Sequence, residues 1–570
     1  MEKKRTRKKP TEYEKALREY HRSSPRHVLV LEADLTEDEK RRIFHDADLI
    51  RQCGNTLVGI MKRNYEQMIR TKRYRRLKVL YGKLSKTVKK LKGLESPTKE
   101  QEQLMKQKCS ELKSCAASMS EMQDFYHVTW EYCRKQMESI RIQYTVDGIF
   151  ALSRAEDIWQ SAEKVLYSDG QSLHFRKRGD LPEIRAKQAN RGIVVKNSDS
   201  SLVFKYKNLN FHCKIKPGDT WALAEQDAVL TYLKDPEFCD TYAVSSLEKG
   251  MCIDTFRPCY ASLVCKEIRG RLRVYVHLTI EGNPIQKTKN GRARHQYGKG
   301  KVGADIGTQT VAYTSSSKVG LENLAERGNT IEHSERMERR ILRAMDRSRR
   351  ATNPDNYESD GTIRRGKKKW VYSNRYLKLK KRHRELCRIN TQNRKLACRD
   401  MANQLRVLGD VLITEPKNAK KLQKRANPEA SLDKNGKPKR KKRFGKSIKN
   451  RCPGYFQECL RKKFESTGGS YIEVPADYRA SQYDHTADDY IKKTLSQRMY
   501  RLTDGTLVQR DWYSSFLLYC INEEHTDIDR KRCLEFFESL YQLEQVMVGS
   551  IASSGKKVMN SGIRTKCMAA

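Results

Sequence analysis

The chain has 570 residues, too many for one compact core and enough for about three domains by size alone. It carries 116 Lys and Arg against 70 Asp and Glu, a net charge of +46, and its mean hydropathy is −0.83. A surplus of that size calls for a polyanion, and nucleic acid is the one that rewards each neutralised phosphate with salt-sensitive affinity. No stretch has the apolar length of a membrane span, and the opening Met1–Pro10 has charge without the apolar run of a secretory signal. Sixteen cysteines without framework spacing, and with no Cys-x-x-Cys, argue for reduced thiols in a cytoplasmic compartment.

Residues 1–26 read as a basic arm; folding on nucleic acid and ordinary disorder suit it equally. His27–Leu31 reads as a strand, followed by a capping box, Thr36 to Glu39. Apolar residues at Ile43, Ala47, Ile50, Cys53, Leu57 and Ile60 then mark a helical stripe, and helical character with basic outer faces runs to about residue 165. Strict alternation returns at Leu209–Ile215 and Leu272–Ile280, with Arg269-Gly270 as a hairpin turn. Residues 190–285 are therefore expected to be β-rich, and the opening strand can pair into that region. Cys252, Cys259 and Cys265 lie there at spacings unsuited to a metal and read as core. A Gly- and Lys-rich joint, 291–301, leads to alternating strands and helices: strand 302–314, helices 334–350 and 373–406, strand 409–414, strand 470–474 and a helix from about 512. Between them Lys434–Lys449 holds nine Lys or Arg in sixteen residues, with Gly436, Pro438 and Gly445 expected to prevent regular structure.

Three acids carry the chemistry. Asp305 interrupts the apolar strand Val302–Ile306, where a carboxylate costs free energy unless paired or metal-bound, and Gly307 after it permits close approach. Glu415 ends the strand Val411–Thr414 before Pro416. Asp511 opens a helix expected to bury Trp512, Phe516, Leu517 and Cys520 on one face. Taken singly, Glu415 and Asp511 are better explained as cap or surface residues, and it is the ordered triple that is specific. Hydrolysis of phosphodiesters by two Mg²⁺ or Mn²⁺ ions about 4 Å apart needs carboxylates converging from separate elements, and Mg²⁺ prefers oxygen.

The motifs Gly303-Ala304-Asp305-Ile306-Gly307, Val411-Leu412-Ile413-Thr414-Glu415 and Gln509-Arg510-Asp511-Trp512-Tyr513-Ser514-Ser515 resemble the three RuvC motifs of the TnpB nucleases and compact type V CRISPR effectors. The basic helices from Arg339 to Arg406, and the blocks Phe175–Leu181 and Lys187–Ile193, are similar to that family as well. The resemblance implies a multidomain α+β chain. It comprises a basic arm (1–26), a wedge-like β-barrel (27–35 and 190–290) holding a helical recognition insertion (36–189), and a linker (291–301). An RNase H-like (RuvC) α/β nuclease domain (302–522) and a helical tail (523–570) follow. It implies a prokaryotic RNA-guided DNA endonuclease that binds a guide RNA, duplex target DNA and their heteroduplex, with Asp305, Glu415 and Asp511 as catalytic Mg²⁺ ligands. Base pairing then supplies specificity while protein reads a short motif and A-form shape.

One departure is plain. The family's zinc ribbon falls at about 476–508, where this chain has no cysteine between Cys459 and Cys520, so no structural zinc is expected there. Asp484 and His485 are the remaining metal-capable pair, better read as structural. Nucleic-acid contacts are expected from Lys439, Arg440, Lys441, Lys442 and Arg443, from Arg176, Lys177 and Arg178, and from Arg510. Tyr206, Phe211, Phe175 and Tyr376 are stacking candidates, with core packing favoured for Phe211. Two other readings stay open: a guide-dependent DNA-binding repressor that does not cut, and an unguided transposase on the same fold. Monomer and homodimer are not distinguished.

Overall fold

The computed structural model describes residues 10–93, 98–168, 170, 172–186, 191–198, 200–251, 253–290, 292–326, 330–419, 422, 445–475, 478–492, 494, 497–555 and 557–565. The chain divides into two compact units, Met1–Thr288 and Lys289–Ala570. Among the described residues no helix is long and apolar enough to cross a membrane.

In the first unit, residues read as an arm contain a helix, α1 (Glu12–Ser23), closed at its start by a Thr11–Glu14 capping box. Tyr20 on α1 is buried and His21 meets the carboxylate of Glu281 at 2.7 Å. Strand β1 (Arg26–Ala33) pairs antiparallel with β8 (Arg271–Glu281), setting Leu29 beside Leu278 and Leu31 beside Val276. Alternate side chains of β1 therefore enter the core while Val28 and Val30 stay exposed, the period of two that a one-sided strand demands. The long helix α2 (Glu37–Arg70) starts at the expected capping box, where Thr36 Oγ1 accepts from Glu39 N–H and Glu39 Oε2 from Thr36 N–H. Its buried stripe includes Ile43, Ala47, Ile50, Cys53 and Leu57; Ile60 is only partly buried and Met61 takes the inner position. Four more helices, α3 (Lys72–Lys92), α4 (Lys99–Phe125), α5 (Trp130–Gln143) and α6 (Gly148–Tyr167), complete this helical module.

The β-rich region contains a five-stranded sheet, order β2 (Ile184–Arg185), β7 (Pro258–Ile268), β8, β1, β6 (Cys213–Lys214). A three-stranded sheet of β3 (Ile193–Ser198), β4 (Ser201–Tyr206) and β5 (Leu209–Phe211) joins it where β5 runs across His212 into β6. Among the described residues no strand pairing closes these sheets into a ring. The β7–β8 hairpin turns at Arg269-Gly270, both with positive φ, which Gly adopts freely. Two helices absent from the sequence reading, α7 (Thr220–Lys234) and α8 (Pro236–Glu248), interrupt the strands. Cys259 and Cys265 are half-buried on β7, and Cys252 lies outside the described residues.

The second unit is built on one mixed sheet. The expected strand 302–314 is two antiparallel strands, β9 (Lys301–Ile306) and β10 (Thr310–Thr314), because the chain reverses at Gly307-Thr308-Gln309. Strand β11 (Val319–Asn323) pairs antiparallel with β10, whereas β12 (Val411–Thr414) and β13 (Ser470–Glu473) continue parallel beyond β9, giving the order β11-β10-β9-β12-β13. A helical pair, α9 (Thr330–Thr352) and α10 (Asn374–Leu408), separates the antiparallel half from β12. Gly445–Lys449, expected to be irregular, belongs to a short helix α11 (Gly445–Arg451), where Gly occupies the first turn and costs little. Helix α12 (Pro453–Glu465) follows. Beyond β13 come the hairpins β14 (Tyr483–Asp484)/β15 (Asp489–Tyr490) and β16 (Met499–Arg501)/β17 (Leu507–Gln509). The helices α13 (Arg510–Tyr519) and α14 (Arg530–Ser553) end the unit's regular structure.

Alternation splits this sheet's two faces. Val302, Ala304, Ile306 and Leu412 face Cys398, Met401 and Leu405 of α10 and Phe456, Leu460 and Phe464 of α12. The opposite face, carrying Gly303 and Ile413, receives α13, buried from Trp512 through Tyr519 rather than along one stripe. Phe536, Phe537 and Tyr541 of α14 pack against this second core. Gly303 is what permits the approach. A Cβ there would lie 2.2 Å from Ser515 O and 2.5 Å from Tyr519 N, both backbone atoms.

Candidate active site

The register of the sheet brings the acids together. Along the parallel pair β9–β12, Gly303 lies beside Ile413 and Ala304 beside Thr414, so one further step sets Asp305 beside Glu415. Both share the parity of Gly303 and Ile413 and belong to the face on which α13 lies. Asp511 stands in the first turn of α13. All three side chains are largely buried, at 12% exposure for Asp305, 25% for Glu415 and 15% for Asp511.

Their electrostatics are mutual. Burial, then the charge of Asp305, raises the Glu415 carboxyl above its ordinary range, against the pull of Lys417 and Arg510. Burial and Asp305 likewise push Asp511 up to about 6, opposed by Arg498, Lys417 and Arg510. A helix N-terminus favours a carboxylate, so the rise at Asp511 means that burial and like charge outweigh the helix. The ammonium of Lys417, two residues past Glu415, donates to Asp305 Oδ1 and lies 4.0 Å from Glu415 Oε2. Burial pulls Lys417 down, but the charges of Asp305 and Glu415 more than offset it and its proton is held more firmly than usual. Arg498 reaches Asp511 at 3.6 Å. The cluster is thus three crowded carboxylates with a lysine ammonium among them.

The third acid is held through Gln509, which is wholly buried. Its Oε1 accepts from Trp512 N–H at 2.7 Å and caps α13, while its Nε2 donates to Ser561 O at 3.2 Å. Its backbone N–H donates to Glu544 Oε1 of α14 at 3.2 Å. Glu544 is itself buried, with its carboxyl pushed up to about 7 by desolvation.

The other candidates divide. Arg510 donates to Thr494 O and is half-exposed beside Asp511. In the first unit Arg176 is fixed by paired bonds between its backbone and the Asn55 side chain, both 2.9 Å, leaving Lys177 and Arg178 exposed. Lys439, Arg440, Lys441, Lys442 and Arg443 lie outside the described residues. Asp484 accepts from the backbone and hydroxyl of both Thr486 and Thr503, and His485 Nδ1 meets Tyr513 OH at 2.6 Å, so the pair is engaged structurally. Tyr206 is buried with its hydroxyl on Asp46, and Phe211 stacks on Phe204 in the core. Phe175 remains 53% exposed, and Tyr376 stacks on the exposed Tyr372. Lys417, Arg498 and Glu544 escaped the sequence reading, which held Gln509 in its third motif without a role. For Lys417 a signal existed, a cation two residues after a strand-end acid.

No known family profile matches the chain, and no curated protein does. Among solved structures, the chain is similar to a Cas12f1–sgRNA–target DNA complex, with a TM-score of 0.39 and 9% identity over 88% of this chain and 99% of that one. A likeness of that degree bears on neither activity nor partners.

Proposed function

We propose that the chain is an RNA-guided DNA endonuclease whose catalytic residues are Asp305, Glu415 and Asp511 of an RNase H-like (RuvC) domain. The observation that carries the nuclease reading is the meeting of these acids, from two adjacent strands and a helix start, around Lys417. The sheet order, three antiparallel strands continued by two parallel ones, agrees with an RNase H-like layer. The guide-dependent part rests on the +46 charge and on the resemblance of the three motifs.

The donor set suits Mg²⁺ or Mn²⁺. It offers carboxylate oxygens only, burial makes their negative charge costly without a cation, and an ammonium already stands among them. Asp305, Glu415 and Asp511 would hold the ions, which when bound supply a nucleophilic water and stabilise the leaving oxygen. The chain's own residues do the rest. Gln509 and Glu544 fix the start of α13 and hence Asp511. Lys417 balances Asp305 and Glu415, and Arg498 and Arg510 offer positive charge to a phosphate beside Asp511.

The test is cleavage of guide-matched DNA by the chain purified with RNA from its own locus. Asp305→Ala and Glu415→Gln should each abolish cutting and leave RNA and target binding intact. Undiminished cutting by either would remove the site assignment. Cutting that ignores the guide would leave the acids in place and remove the guided reading.

A further inference from the structure

Away from the acids, α9 and α10 lie antiparallel, as the contacts Ser334–Asn390, Glu338–His383 and Ser348–Ser373 require. Midway along, Glu338 of α9 faces His383 and Cys387 of α10, which are one helical turn apart and share a face. His383 Nε2 is 3.4 Å from Glu338 Oε1 and 3.6 Å from Cys387 Sγ, and the three donor atoms lie within 4.8 Å of one another. An N–H···O bond prefers about 2.9–3.0 Å, so 3.4 Å is long for a hydrogen bond. Zinc bound tetrahedrally at about 2.05 Å to N or O and about 2.3 Å to S sets its ligands about 3.4 Å (N–O) and about 3.6 Å (N–S) apart. The two spacings from His383 are those edges, and the Glu338–Cys387 edge lies within 4.8 Å.

We propose that Glu338, His383 and Cys387 form a binding site for a zinc-class divalent cation that clasps α9 to α10. Sulfur and imidazole donors select a borderline-soft ion over Mg²⁺, so the site differs in kind from the all-oxygen cluster at Asp305. Three protein ligands leave a fourth position. A cavity of about 170 Å³, lined by Glu338 and Cys387 with Ser334, Asn390 and Thr391, opens beside two of the ligands and is large enough for water. Lys449 Nζ, 3.9 Å from Glu338 Oε1, competes for the carboxylate. Its side chain is 67% exposed and can turn into solvent when a cation enters. Cysteine binds such an ion as the thiolate, so loading the site releases the Cys387 proton and is favoured by rising pH. The inference does not depend on whether the chain cuts DNA.

The experiment is a Co²⁺ titration of the full chain, reduced and stripped with chelator, read by absorption. Wild type should develop a thiolate-to-cobalt charge-transfer band and tetrahedral ligand-field bands saturating at one equivalent, both removed by added Zn²⁺. Carboxylates at Asp305 carry no sulfur and cannot give that band. Cys387→Ser should lose it, Cys452→Ser should keep it, and Glu338→Gln should weaken cobalt affinity at least about tenfold. Should circular dichroism find Cys387→Ser unfolded, Glu338→Gln decides alone. Absence of the band in wild type, or undiminished affinity in Glu338→Gln, overturns the proposal.

Discussion

Replacing Lys417 with Met asks whether the cluster around Asp305 is built for a cation. The ammonium contacts Asp305 and stands 4.0 Å from Glu415. At an effective dielectric of about 20, each opposite pair at that distance is worth about 4 kcal/mol before desolvation is charged against it. Breaking a buried pair costs about 3–5 kcal/mol, and because the Lys417 side chain is 30% exposed the lower end applies, about 3 kcal/mol. Saturating Mn²⁺ should take over the role and shrink the deficit below about 1 kcal/mol. With its competitor gone, Mn²⁺ should bind the variant about tenfold more tightly, a difference of about 1.4 kcal/mol. Urea unfolding at pH 8, with chelator and with Mn²⁺, reads the first quantity and calorimetric titration the second. Equal deficits in both conditions, or weaker Mn²⁺ binding, would refute the reasoning and make Lys417 a structural partner only.

Three further outcomes follow from the same unit. Asp511 holds its proton up to about pH 6, so an entering ion must expel it below that value. Mn²⁺ affinity should then fall about tenfold per pH unit below 6, and a flat profile from pH 5 to 8 would contradict this. Glu544 is raised from 4.5 to about 7, so the folded state binds the extra proton and stability should decline as pH rises from 4.5 to 7, then level off. Glu544→Gln should lack that decline and gain up to about 3 kcal/mol at pH 8, measured by urea unfolding across pH. Gly303→Ala sets a methyl 2.2 Å from Ser515 O; it should cost about 3 kcal/mol and abolish Mn²⁺ binding, and near-wild-type values would mean α13 can step back.

Local signals were well written in the sequence where one element decides its own fate. The Thr36–Glu39 box, the α2 stripe and the Arg269-Gly270 turn all have short-range causes, and each stands where it was expected. Helices α7 and α8 were missed within a strand-rich stretch although Asp219 and Asp235 cap them and Pro236 opens α8. The glycine that matters for close approach is Gly303, not Gly307, because α13 lies over that face of β9, a fact of tertiary packing. Arg498 was illegible for the same reason, and Lys417, though its place two residues past a strand-end acid was a signal, could not be given its partner Asp305 from sequence. Which carboxylate a cation meets depends on strand register and on where a distant helix begins.

The Gln509 cap also orders events in time. It depends on Glu544 and on the carbonyl of Ser561, and the segment that carries Ser561 is tied to Asn323 of β11 through Lys557 and Met559. On a translating ribosome, β9 and β12 can pair and set Asp305 beside Glu415 long before those residues exist. The third acid then hangs on a helix whose first turn has lost its anchor. The order of synthesis thus leaves the three-acid cluster unfinished until the last residues of this closing segment have been added.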